Sequence, residues 1–386
     1  FFVSNVSTLL DAHWSLDDIL LPLAISFFTF QQIAYLVDSH RGITREYKFL
    51  HYALFVSFFP QLIAGPIVHH RDMLPQFMRT TRFCLDSNHF AIGLSIFAIG
   101  LFKKTVLADG IAPYANPVFN AVDNGQTVDF FTAWGGALAY SFQLYFDFSV
   151  YSDMAIGLAR MFGIVLPLNF YSPYKAASIT EFWRRWHITL SHFLRDYVYI
   201  ALGGNRRGRT RRFTNLMTTM LLGGLWHGAG WNFIIWGGLH GLYLILHQIW
   251  QALLSKLSLK TSGSVYSGLA WLVTMLCVVV GWVFFRATTF EGAIGLLQSM
   301  IGLHGFTLPQ GIMARLGDAG IFLQSLGMQV ALGGGQDFVL TWLWITVLLI
   351  IVLVMPNVQD MFNWVRCSLR NQHFDTTDSV WPMLSR

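Results

Sequence analysis

Apolar positions gather along the chain into runs long enough, or nearly long enough, to cross a bilayer, which takes about 20 residues of helix. The pattern predicts membrane helices over 19–37, 50–68, 90–108, 130–146, 148–166, 214–226 with 231–250, 268–286 and 338–356. Several are short or interrupted: Pro60 and Pro66 break SFFPQLIAGPIV, and Gly228 and Gly230 follow His227 in LLGGLWHGAGWNF. Broken backbone survives at membrane depth only inside protein or along a cavity, so an interior cavity is expected. Residues 109–129 and 300–337 are rich in Gly, Asn and Asp and read as loops or interfacial pieces.

Between the fifth run and the broken one lies PYKAASITEFWRRWHITLSHFLRDYVYIALGG. Ser178 and Glu181 fit a capping box, and Glu181 precedes Arg185 by four residues, so a helix is predicted to begin near Ile179. Its charges are too dense for a span. Trp183, Trp186, Leu190, Phe193, Leu194 and Tyr197 oppose Arg184, Arg185, Arg195 and Asp196, which describes an amphipathic helix over 175–200, interfacial or re-entering the core. The next stretch, GGNRRGRTRR over 203–212, carries five arginines in ten residues directly before an apolar run and reads as a cytoplasmic basic loop. Arg41, Arg45 and Lys48 are expected on the same side.

Composition sharpens the class. Of 386 residues, 54% are hydrophobic, 16% aromatic and only 12% charged, about half the charge of a soluble domain. With a mean hydropathy of +0.50, these values define an all-α polytopic membrane protein. The net charge of +5 follows from orientation in the membrane, and no nucleic-acid partner is expected. Cys84, Cys277 and Cys367 lack metal or disulfide spacing. No repeat or long linker divides the chain, so residues 1–386 read as one integral-membrane domain. The chain starts at Phe1 almost directly in a hydrophobic stretch, and further transmembrane helices are expected upstream of it.

An ionisable group at membrane depth costs about 2.5 to 3.5 kcal/mol or more, so each is a functional candidate. His227 leads: Gly224 and Gly228 flank it as a GxxxG step, Trp226, Trp231 and Trp236 are placed to wall it, and apolar surroundings favour the neutral imidazole a general base requires. A histidine bonded to a backbone carbonyl between helices is the bland alternative. His187, beside Arg184 and Arg185, can orient a base, bind an anionic cofactor or sit among headgroups. His240 and His247, seven apart, fit helix packing or a polar lining, while His69 and His70 beside Arg71 read as a solvated loop end. Asp147, Ser149, Ser152 and Asp153 put polar groups into LYFDFSVYSDMAIG, where structural pairing, including with Arg184 and Arg185, is favoured over lining a cavity. GxSxG, HExxH and GxxxxGK[ST] are all missing, which disfavours serine hydrolases, zincins and P-loop NTPases, and no metal site is expected.

EFWRRWHITLSHFLRDYVYIALGGNRRG followed by GGLWHGAGWNFIIWGGLHG resembles the membrane-bound O-acyltransferase (MBOAT) family, in its bacterial alginate O-acetyltransferase-like branch. LPLAISFFTFQQIAYLVD, FPQLIAGPIV, YFDFSVYSDMAIG and GWVFFR carry the same resemblance, and PNVQDM at 356–361 echoes it. The resemblance implies a helical bundle around a central funnel, with broken and re-entrant helices. It maps the family histidine onto His227 and the branch's second histidine onto His187, both catalytic. Arg184, Arg185, Trp226, Trp231, Asn232 and Asp147 are the accompanying candidates for binding substrate or donor. It further implies a cytoplasmic donor such as acetyl-CoA with no bound cofactor, an SGNH-type extracytoplasmic partner, an exported polysaccharide as indirect acceptor, and multi-pass residence in the bacterial inner membrane. The residues alone also admit a transporter or channel with a histidine relay, or a scaffold that docks the extracytoplasmic enzyme.

Overall fold

The computed structural model describes residues 2–10, 25–44, 48–62, 65–78, 86–258 and 263–362. Residues 19–24 of the first predicted span, 63–64 of the second, Arg45, Cys84 and Cys367 lie outside the described residues. The chain opens with α1 (Phe2–Leu9), α2 (Ile25–His40), α3 (Phe49–Ser57), α4 (Phe59–Leu62) and α5 (His70–Phe77). α6 (Ser87–Phe102) runs through a π-helical turn, Lys103–Ala108, straight into α7 (Asp109–Asp123). α8 (Phe130–Met161) follows, then α9 (Ile179–Arg185), α10 (Ile188–Phe193) and a second π-helical turn, Leu194–Tyr199. The remainder comprises α11 (Gly208–His227), α12 (Trp231–Lys256), α13 (Ser264–Arg286), α14 (Phe290–Met300), α15 (Gln310–Arg315), α16 (Asp318–Ser325) and α17 (Gly335–Val354). One two-stranded parallel sheet pairs β1 (Thr307–Pro309) with β2 (Gln329–Ala331), Thr307 opposite Gln329. Among the described residues four helical stretches have the length and apolar composition of a span: Ser87–Asp123, Trp231–Lys256, Ser264–Arg286 and Gly335–Val354.

Several expectations need correction. The two spans predicted over 130–166 are one 32-residue helix, about 48 Å long. Asp147 and Asp153 do not interrupt it, because Lys104 and Lys103 neutralise them across the α6–α8 contact, at 2.6 and 2.7 Å. Asp129 caps its start through Phe131 and Thr132 backbone N–H groups. Gly163, in the left-handed region, closes its end: Gly163 N–H donates to the Arg160 carbonyl and Ile164 N–H to that of Ala159. The loop predicted at 109–129 is mostly helix α7, despite Pro113 and Pro117. Ile111, Ala115, Val118, Phe119 and Val122 are buried at helical spacing, and this packing outweighs the two missing backbone bonds.

The 203–212 segment is only partly a loop. Residues 200–207 turn, and the helix then begins at Gly208, with Arg209, Arg211 and Arg212 in its first turns and Asn215 Nδ2 donating to the Gly204 carbonyl at 3.0 Å. Arg206, Arg207, Arg209 and Arg211 are exposed. Arg41 lies over the Tyr197 ring at 5.9 Å, so the first basic stretch gathers near the π-helical turn leading to this segment. The 300–337 region holds α15, α16 and the small sheet. His70, predicted in a solvated loop end, is instead 3% exposed, bonded to Thr44 at 3.0 Å and 3.9 Å from buried Asp38, because α5 tucks its first turn against the end of α2.

Helix crossings are set by glycine pairs. A Cβ on Gly93 of α6 would stand 2.5 Å from the Gly157 carbonyl of α8, and one on Gly157 2.7 Å from that of Gly93. The principal core then runs along α7, α8, α9, α12, α13, α14 and α17, with Phe182, Trp186, Trp236 and Trp282 wholly or nearly buried at its centre.

Candidate functional site

The predicted amphipathic helix is not one helix. It begins as expected at Ile179: Ser178 Oγ accepts from Glu181 N–H at 3.2 Å, Glu181 Oε2 accepts from Ala177 N–H at 2.9 Å, and Glu181 pairs with Arg185 at 2.7 Å. It breaks after Arg185, and His187 sits at the knuckle in the left-handed conformation, φ 43°, which is uncommon for a residue with a Cβ. Two backbone bonds hold the break open: Tyr171 N–H donates to the Arg185 carbonyl and Ile188 N–H to that of Asn169, both at 2.9 Å. Residues 169–171 therefore clamp the knuckle from outside. With Trp186, Leu190, Phe193 and Leu194 buried, the segment is inserted among other elements.

His187 is 1% exposed. Its ring meets Phe148 edge to face at 4.7 Å, with Trp226, Phe170 and Phe27 at 6.1, 6.2 and 6.4 Å. Nδ1 lies 3.1 Å from Asn169 Oδ1, while Nε2 is buried and has no partner among the described residues. Asn169, in the plain loop sequence LPLNFYSP, was not singled out from sequence; nothing in its neighbours marks it, since its partner is 18 positions away.

His227 ends α11, immediately before the Gly228–Gly230 break, and is half-buried. Its ring is enclosed by Trp226, Trp236 and Phe285 at 4.7, 5.0 and 5.0 Å, and no hydrogen bond to it is present among the described residues. A bond to a backbone carbonyl, the bland alternative, is therefore not made there. Trp226 contacts both His187 and His227, and Trp236 contacts both His227 and His240, the latter at 4.9 Å. The result is a continuous row of rings: His187, Trp226, His227, Trp236, His240. Within it His187 Nε2, Trp226 Nε1, Trp236 Nε1 and His240 Nε2 are all buried without a protein partner. Buried polar atoms are ordinarily satisfied, so a cluster of four points to water or substrate between these walls.

The other candidates divide. His240, 0% exposed, accepts from Trp183 Nε1 at 3.3 Å, and His247 meets Thr180 at 2.9 Å, so both tie α12 to α9. Asn232 donates to the Ala287 and Thr289 carbonyls at 2.7 and 3.1 Å, pinning the start of α12 to the α13–α14 turn. Trp231, predicted in the wall, is the first residue of α12 and is 58% exposed. Arg185 is held by Glu181 and donates to the Tyr171 carbonyl at 3.3 Å. Arg184 is half-buried on the same short helix. Asp147 pairs with Lys104 at 2.6 Å.

The profile of MBOAT, the membrane-bound O-acyltransferase family, matches residues 39–287. The chain belongs to that family, and with its apolar helices it is a multi-pass membrane protein. It is 47% identical over 333 residues to the peptidoglycan O-acetyltransferase of Helicobacter pylori, covering 80% of this chain and 62% of the relative. To the probable alginate O-acetylase of Pseudomonas aeruginosa it is 46% identical over 296 residues, 76% of this chain and 54% of the relative. The teichoic acid D-alanyltransferase of Streptococcus thermophilus is more distant, 28% identical over 236 residues, 59% of this chain and 57% of the relative. The chain thus spans 54 to 62% of the length of the first two relatives.

Proposed function

We propose that this chain carries the membrane-embedded site of an O-acetyltransferase that moves acetyl from cytoplasmic acetyl-CoA toward hydroxyls of an exported glycan. The observation that carries the reading is the row of rings around His227 with its four unpartnered buried polar atoms. The two near relatives are named for O-acetylation of peptidoglycan and of alginate, which supports acetyl as the group and a glycan as the eventual acceptor. Exposed Arg206, Arg207, Arg209 and Arg211 supply a cationic approach for the phosphates of CoA.

In this mechanism His227 removes the proton of an acceptor hydroxyl as its oxygen attacks the thioester carbonyl. The tetrahedral adduct collapses, the C–S bond breaks, and the proton passes from His227 to the departing CoA thiolate. His187 supports that step across Trp226. Aromatic walls exclude bulk water, which would otherwise compete for the acetyl group. From that acceptor the acetyl group is passed on to the glycan by an SGNH-type extracytoplasmic partner, and the site lies in the inner membrane.

Purified protein in proteoliposomes, given acetyl-labelled CoA, tests the reading. Label transfer to a sugar hydroxyl or to the partner, absent in His227→Ala, is expected. Solute flux or ion conductance without consumption of acetyl-CoA would contradict it and favour a transporter.

A further inference from the structure

The Asn169 side chain meets His187 through one bond, and four neighbouring bonds leave that bond a single polarity. Thr189 N–H lies 3.3 Å from Asn169 Oδ1 and can only donate, so this terminal atom of the side-chain amide is the oxygen. Thr189 Oγ1 accepts from Ile67 N–H at 3.0 Å and turns its own proton onto the same oxygen at 2.9 Å. The amide nitrogen faces the other way and donates to Ser152 Oγ at 3.1 Å. Asn169, His187, Ser152 and Thr189 are all buried, so no solvent competes for these bonds.

An oxygen so fixed can only accept from His187 Nδ1. In the neutral ring the proton is then on Nδ1, and Nε2 carries the lone pair. Nε2 is also the ring nitrogen left without a protein partner, on the ring that Trp226 shares with His227. We infer that Asn169 is a positioning residue of the site: by holding the proton on His187 Nδ1, it presents Nε2 as a hydrogen-bond acceptor within the ring row. The same residue's carbonyl accepts from Ile188 N–H, so Asn169 fixes both the tautomer and the backbone break that carries the imidazole. An acceptor at Nε2 can receive the acceptor hydroxyl's O–H or steady a protonated His227, whereas the opposite tautomer would present a donor. This inference rests on the acetyltransferase reading of the site.

The test combines a spectrum with kinetics. In protein labelled with 15N-histidine and held in bilayers, the His187 resonances are assigned by their loss in His187→Ala. Wild type should show a protonated Nδ1 and a bare Nε2. Asn169→Leu, which removes the acceptor, should show a mixture of tautomers and a kcat for acetyl transfer lower by about tenfold to a hundredfold, with KM for acetyl-CoA little changed. Asn169→Asp keeps an oxygen toward Nδ1 and should restore the wild-type tautomer and most of kcat, which mere damage to packing would not allow. A proton on Nε2 in wild type overturns the inference even where transfer needs His187. Tautomer mixing in Asn169→Leu with unchanged kcat overturns the positioning role as well. Unchanged transfer in His187→Ala would remove His187 from the proposed mechanism, and the positioning role would fall with it.

Discussion

Gly224 of α11 and Gly237 of α12 meet backbone to backbone, three residues before the helix end that carries His227. A Cβ built on Gly224 would stand 3.2 Å from Gly237 Cα and closer still to the Phe233 carbonyl; one on Gly237 would stand 3.3 Å from Gly224 Cα and press on the Met220 carbonyl. Backbone cannot retreat as a flexible side chain can. Gly224→Ala is therefore expected to cost about 1 to 3 kcal/mol of strain. It should lower the thermal midpoint in detergent and reduce acetyl transfer by displacing His227. A midpoint equal to wild type would show that the crossing has slack.

The GxxxG step read from sequence paired Gly224 with Gly228, and both face the start of α12: a Cβ on Gly224 would press on the Phe233 carbonyl and one on Gly228 would run into the Phe233 ring. Local spacing marks such positions, whereas contacts between distant positions leave no local mark. His187, His227, the cap at Ser178 and the break after His227 were legible because each leaves a local signature. Asn169 and the Lys103 and Lys104 partners of Asp153 and Asp147 were not, because those contacts join positions 18 to 50 residues apart. The helix over 109–123 was missed because local breakers outweighed, on sequence alone, an apolar face that packs on α8.

Lys103 and Asp153 form an ion pair with side chains only 12% and 10% exposed. Lys103 Nζ also donates to Ser149 at 2.9 Å. Removing one partner leaves a charge without compensation, so Asp153→Ala should destabilise by about 3 to 5 kcal/mol. Lys103→Met combined with Asp153→Leu should recover most of that loss. Equal destabilisation in the single and double variants, measured by thermal unfolding, would contradict this account of the pair.

His69 and His70 lie with Asp38, Arg71 and Tyr197, outside the four spans. Burial holds both imidazoles below their ordinary value of 6.5, against the opposing pull of Asp72 and Asp38. Below 6.5 the unfolded chain then binds more protons than the folded one, so stability falls as the pH drops through that region. The thermal midpoint should be lower at about pH 5 than at about pH 7.5, and His69→Gln with His70→Gln should flatten the dependence. A midpoint that rises on acidification would contradict the sign.

The exposed arginines at 206, 207, 209 and 211 are assigned to donor approach and not to chemistry. Replacing all four with Gln should raise KM for acetyl-CoA by about tenfold, weaken its dependence on salt and leave kcat within about twofold. A fall in kcat at unchanged KM would place them in a different role.

The central claim is that acyl transfer occurs at His227. It is tested most directly by the O-acetyl content of the cell's exported glycans in wild type and in His227→Ala at matched membrane abundance. Loss of acetyl ester with the polymers still exported is the predicted result. Undiminished acetylation in His227→Ala would contradict it.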